Sequence, residues 1–182
     1  MMQENNKLQP EAAAAAMLKL TMTSIDKQWG VLQPVFAAFT TDAVLTRELE
    51  DTLLQELYVA VLALELYDLP HVFASGEDRE IESELLRILQ SGDFAPLRLA
   101  EPIRLQYLPR LREIRKEETD DMGAKLLEEA VGILYDRLPL PLKPSAPQGS
   151  FLWSRLMQAM ALWIGKWPAI VKGFAAAPPS RQ

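Results

Sequence analysis

The chain has no cysteine among its 182 residues. That excludes disulfides, thiolate-held zinc and thiol nucleophiles. It fits a reducing compartment, and the expected location is cytoplasmic. Histidine is nearly absent too: His71 stands alone, in a stretch after Pro70 that reads as a loop. A catalytic imidazole needs a nucleophile or a carboxylate aimed at it, and no motif supplies one. A helical di-iron site needs Glu-x-x-His on two helices, which one histidine cannot provide. The eight glycines are scattered and match no phosphate-cradling loop. No uncharged run approaches the 18 residues that a membrane span requires. The first ten residues are polar and lack the apolar core of a secretory signal. No alternating strand pattern and no internal repeat is visible. The expectation is a non-enzymatic protein, with no catalytic, cofactor or metal site assigned.

What is present favours helix. Leucine far outnumbers valine and isoleucine, and alanine and glutamate are plentiful. The pattern predicts an all-α single-domain bundle of five to seven helices around a long central helix over 42–67. Asp42 is its expected N-cap, and Leu45, Leu49, Leu53 and Leu57 repeat every four residues. From Leu57 to Leu64 it is apolar all round, the mark of a helix buried on every side. Glu48, Glu50, Glu56 and Glu65 share this helix and are expected to be solvated or paired. Around it are expected a disordered arm over 1–10 and a helical body over 11–138. A proline-rich linker over 139–149, an amphipathic helix over 150–174 and a flexible tail over 175–182 follow. In the body, a helix from Glu11 is expected to stop at Gly30, with a short turn of helix after Pro34. Pro168 predicts a break in the last helix.

Charge is split along the chain. Residues 1–136 carry a balance of −12, and residues 137–182, which hold no acid, carry +6. The basic end contains three of the four tryptophans. On a helix, Leu152, Trp153, Leu156, Met157, Met160, Trp163, Ile164, Trp167, Ile170, Val171 and Phe174 fall within an arc of about 140°. Phe151 and Leu162 lie outside it. Three readings follow. The face can complete the core. It can dock into a protein partner, with Trp153, Leu156, Met160, Trp163, Trp167 and Phe174 as the contacts. It can lie on a membrane surface. The tryptophans point near the middle of the arc, which favours burial in protein, where each indole N–H needs an acceptor.

Two further patterns bear on partners. Arg98, Arg104, Arg110, Arg112, Arg115 and Lys116 cluster in sequence around Tyr107. Such a run can track phosphates, with Arg104, Arg110, Arg112, Arg115 and Lys116 as contacts. Glu113, Glu117 and Glu118 are interleaved at spacings that suit intrahelical ion pairs, so a solvated, salt-bridged face is the plainer reading. Asp120-Asp121 reads as a helix cap rather than a metal motif, and Pro141 to Pro144 as a spacer rather than a ligand. Finally, Trp153, Leu156-Met157, Met160, Trp163, Gly165-Lys166 and Phe174 are similar to the last helix of the small helical subunit of type I CRISPR surveillance complexes. That resemblance covers residues 151–174 alone. It implies an all-α subunit lying along a guide or target strand, with the basic run as its contact. The acidic body fits bulk nucleic-acid binding poorly. The function expected is therefore an interaction protein: an adaptor, chaperone, immunity-type binder or small subunit of a larger assembly. A nucleic-acid-contacting subunit and a peripheral membrane protein are the alternatives.

Overall fold

The computed structural model describes residues 9–115 and 121–176, the side chains of Arg115 and of residues 170–176 excepted. Among them the chain is all-helical, with seven α-helices and no strand. The helices are α1 (Pro10–Ala37), α2 (Arg47–Val72), α3 (Glu77–Leu89), α4 (Ala100–Pro102), α5 (Leu108–Arg115), α6 (Met122–Arg137) and α7 (Phe151–Ala176). A 3-10 turn, Gly92–Leu97, precedes α4, and a π-helical turn, Ile103–Tyr107, joins α4 to α5. Of the expected arm over 1–10 and tail over 175–182, residues 1–8 and 177–182 lie outside the described residues, as do Lys116, Glu117, Glu118 and Asp120, while Pro10 already belongs to α1 and α7 runs to Ala176.

The axis of the fold is α2, with α1, α3, α5, α6 and α7 all packed on it. Every residue from Leu57 to Tyr67 is buried, as the all-round apolar run predicts. The helix sits five residues later than expected at each end. Thr40 explains the late start. Its hydroxyl donates to the carbonyls of Ala37 (2.8 Å) and Val44 (3.2 Å), closing a turn over the place where Asp42 would have capped. Thr46 caps instead, accepting from the Leu49 N–H at 3.3 Å. At the other end the helix runs through Pro70. A proline in the last turn removes a single bond, and Phe73 N–H still reaches Leu69 O at 2.9 Å.

The same rule corrects α1 and α7. Gly30 and Pro34 do not stop α1, which runs unbroken past both. Both face solvent, so water can take the Gly30 carbonyl that Pro34 leaves without a donor. Pro168 is likewise exposed, and α7 continues through it as one helix. Ser150 does cap α7: its hydroxyl accepts from the Trp153 N–H at 3.1 Å. Ser150→Ala should cost about 1 kcal/mol in urea unfolding, because one terminal N–H loses its partner.

The proline-rich stretch between α6 and α7 is tied to the bundle. Leu140 is buried, and Leu142 N–H donates to Phe39 O at 3.0 Å. Lys143 Nζ donates to the carbonyls of Tyr135, Asp136 and Leu138, capping the end of α6 with a positive charge.

Candidate functional site

A surface hollow lies between α3 and the segment from the π-turn into α5. Helix α3 starts at Gly76, whose φ of 105° suits a residue without a Cβ. Asp78 Oδ1 accepts from the Gly76 N–H at 2.9 Å, so Asp78 braces this start. Ile81, Leu85 and Leu89 point into the core. The opposite side of the helix forms one wall of the hollow and presents Arg79, Glu82 and Arg87.

The other wall depends on the π-turn. Pro109 has no N–H for the Leu105 carbonyl, and its ring would crowd that carbonyl in a regular helix. A wider turn relieves the conflict, with Leu108 N–H bonding to Ile103 O. The wide turn buries Ile103 and Tyr107 and turns the three residues between them outward. Arg104 thereby enters the groove beside Arg112 of α5.

The groove has a volume of about 830 Å³ and is lined by four arginines against two carboxylates, Asp78 and Glu82. Arg112 Nη2 donates to both Glu82 oxygens, at 2.8 and 3.0 Å. Arg87 is held by Glu84 (2.7 Å) and Glu11 (3.2 Å). Arg79 and Arg104 have no ion-pair partner among the described residues. This is a cationic hollow on a chain of net charge −6.

Of the basic run, Arg104 and Arg112 reach this groove. Arg110 turns away to pair with Glu129 of α6, and Arg98 pairs with Glu101 at 2.6 Å. The ion pairs of Arg110 and Arg112 therefore run between helices, whereas the sequence spacing suggested pairs within one. Glu113 also has a partner, and the Arg115 side chain and Lys116 are not described. Arg79 and Arg87 were not singled out in sequence. They stand on a helix rich in acid, and only the packing of the chain sets them opposite Arg104.

The aromatic face of α7 is core. Leu156, Met160, Trp163 and Trp167 are each no more than 3% exposed, and Trp153 is half-buried against Tyr135. These side chains are spent on α1, α2 and α6 and are not open to a partner in this fold. The Phe174 side chain is not described. Phe151 and Leu162 are exposed, as their place outside the arc predicts. Leu162 and Val31 of α1 border a smaller apolar hollow of about 260 Å³.

Three polar groupings lie inside or along the bundle. Asp68 accepts from Trp167 Nε1 at 2.9 Å and faces His71 Nδ1 at 3.2 Å. His71 is thus in the last turn of α2, not in a loop, and its partner helps hold α7. Arg137 makes a two-pronged bond to Glu56 (2.6 and 2.8 Å) and donates to Gln106 at 2.9 Å. Burial works against the arginine charge there, but the bonds to Glu56 more than offset it, and its pKa rises. The buried Tyr107 hydroxyl beside this pair is pushed up by burial and then by Glu56.

Glu65 corrects an expectation. It is neither solvated nor paired with a cation. It is 2% exposed at mid-core, and the Thr21 hydroxyl donates to its oxygens at 2.8 and 3.0 Å. Burial raises its pKa from 4.5 to about 8, with the Thr21 bond opposing in part. Another correction concerns the indoles. Trp167 has its acceptor, but the buried Trp163 Nε1 has none among the described residues.

Among the described residues no three His, Asp or Glu side chains are grouped to hold a metal ion, and no helix is long and apolar enough to cross a membrane. No protein-family model, curated protein or solved structure matches the chain.

Proposed function

We propose that this chain is a non-enzymatic interaction protein, an adaptor or small subunit of a larger assembly, which takes its partner in the arginine groove rather than on α7. The observation behind this reading is the pair Arg79 and Arg104, held in one hollow without carboxylate partners among the described residues, on an otherwise acidic protein. A hollow of this size lies within the range of ligand clefts. Arginine is also the cation most often used at interfaces, because its planar fork recognises carboxylate and phosphate groups directly. Trp163 and Trp167 of α7 cannot serve without unpacking the core, which also weakens the support for an amphipathic membrane helix. The CRISPR-like reading rests on residues 151–174 alone, where Leu156, Met160 and Trp163 are buried in this fold, and has no further support.

The test is affinity purification of the tagged full-length chain with mass spectrometry, comparing the parent with the Arg79→Glu/Arg104→Glu variant. Both residues are exposed, so the variant should keep the parent's far-ultraviolet circular dichroism and unfolding midpoint. A specific partner of the parent should fall at least about tenfold in the variant, since charge reversal turns attraction into repulsion. An unchanged set of retained proteins would remove the groove as the partner site.

A further inference from the structure

We infer that the occupant of the groove is a short acidic peptide segment of a protein partner, carrying two or more Asp or Glu residues and an aliphatic anchor. The inference rests on the groove being the partner site. The cationic surface does not end at α3. A second hollow shares Arg104 and Gln90 with the groove and continues to Arg98 and Leu105. Leu105 is 68% exposed, and the hollow beyond it also contains Leu97, which is 40% exposed. Charge and apolar surface therefore alternate along one path: Arg79 and Arg104, then Leu105, then Leu97 beside Arg98.

That path suits carboxylates better than a phosphate backbone. Glu82, Asp78 and Glu101 are interspersed with the arginines. A nucleic-acid strand puts a charge at every nucleotide and would meet each of these carboxylates. A peptide can place its acids over Arg79 and Arg104 and neutral side chains elsewhere. Among the described residues, no Phe, Tyr, Trp or His lines any of the three hollows. Single-stranded nucleic acid is ordinarily held by stacking bases on such rings. An aliphatic side chain needs only Leu105 and Leu97, which the wide turn and the 3-10 turn expose.

The test is fluorescence anisotropy of the full chain with a labelled twelve-residue peptide of Asp, Glu and two leucines. Its comparators are the same peptide with Ser for Leu, the same peptide with Lys for the acids, and a twelve-nucleotide single-stranded RNA. The acidic leucine peptide should bind and weaken as salt is raised. It should weaken by at least about tenfold with Arg79→Glu/Arg104→Glu, the size expected for reversed charges at an interface. Leu105→Ala should weaken the leucine peptide by a few-fold and leave the serine peptide unchanged. The lysine peptide should not bind.

Binding of RNA in preference to the peptide overturns the inference, as does peptide binding that ignores the arginine variant. If the peptides fail to bind but a purified partner is still lost on Arg79→Glu/Arg104→Glu, the peptide chemistry is wrong and the groove reading stands. If the partner is retained, the groove reading itself falls. Concentration-dependent self-association that the same variant abolishes would make the occupant a second copy of this chain, and would also overturn the inference.

Discussion

Glu65→Gln should flatten the dependence of stability on pH. In the parent, the Glu65 carboxyl sits at mid-core with Thr21 as its hydrogen-bond donor and titrates near 8 instead of 4.5. Between those two values the folded chain holds a proton that the unfolded chain has released. The contribution of Glu65 to stability is therefore greatest below about pH 4.5, falls as pH rises through the window, and levels above about pH 8. The slope is about 1.4 kcal/mol per pH unit, so the whole window is worth several kcal/mol. Glutamine cannot ionise. Its amide carries donors that the site does not fully satisfy, so the variant should match the parent or fall about 1–3 kcal/mol below it at pH 5. It should overtake the parent between about pH 5 and 7 and exceed it at pH 9. Urea titrations at five pH values would show this as two curves that cross. Parallel curves would mean that Glu65 is ionised throughout, or that water reaches it.

A buried acid of this kind was hidden by its surroundings in the sequence. Glu65 ends a run of leucine, valine and alanine, and acids at the ends of such runs usually reach solvent. What buries it is the packing of α1, whose Thr21 lies 44 residues away in the chain. The architecture was far more legible. The apolar run Leu57–Leu64 predicts a central helix, and the 3.6-residue periodicity predicts the inward face of α7. The errors fell at helix ends and prolines, where one local bond decides between alternatives. Thr40 displaced Asp42 as the punctuation before α2. Pro34, Pro70 and Pro168 were tolerated because of where they sit, at a solvent face or in a last turn, which composition does not reveal.

The candidate site divides in the same way. Arg104 and Arg112 belong to a basic run visible in the sequence. Arg79 and Arg87 do not, because on α3 they are surrounded by Glu77, Asp78, Glu80, Glu82 and Glu84. Only the third dimension separates the charges. Arg87 takes Glu84 and Glu11, Arg112 takes Glu82, and Arg79 and Arg104 remain without an ion pair among the described residues. The outward position of Leu105 depends on the π-turn. Pro109 is its visible cause, but proline more often ends a helix than widens one.

The two buried tryptophans of α7 should separate a core helix from a docking helix. Trp163→Ala and Trp167→Ala should each cost about 3–5 kcal/mol, the usual price of emptying a buried aromatic site. The phenylalanine variants should differ from one another. Trp167→Phe loses the 2.9 Å bond from Nε1 to Asp68. A bond to a charged acceptor contributes about 1.5–3 kcal/mol. Asp68 keeps its contact with His71 and is 40% exposed, so water can replace part of the loss. Trp163→Phe loses ring volume, but it also removes a buried N–H that has no acceptor among the described residues. That removal offsets part of the packing loss. The order expected in urea unfolding followed by circular dichroism is parent, then Trp163→Phe, then Trp167→Phe, then the alanines. Reversal of the two phenylalanine variants would place an acceptor at Trp163. An unchanged midpoint for both alanines would mean that α7 does not close the core, and its aromatic face would return as the partner surface.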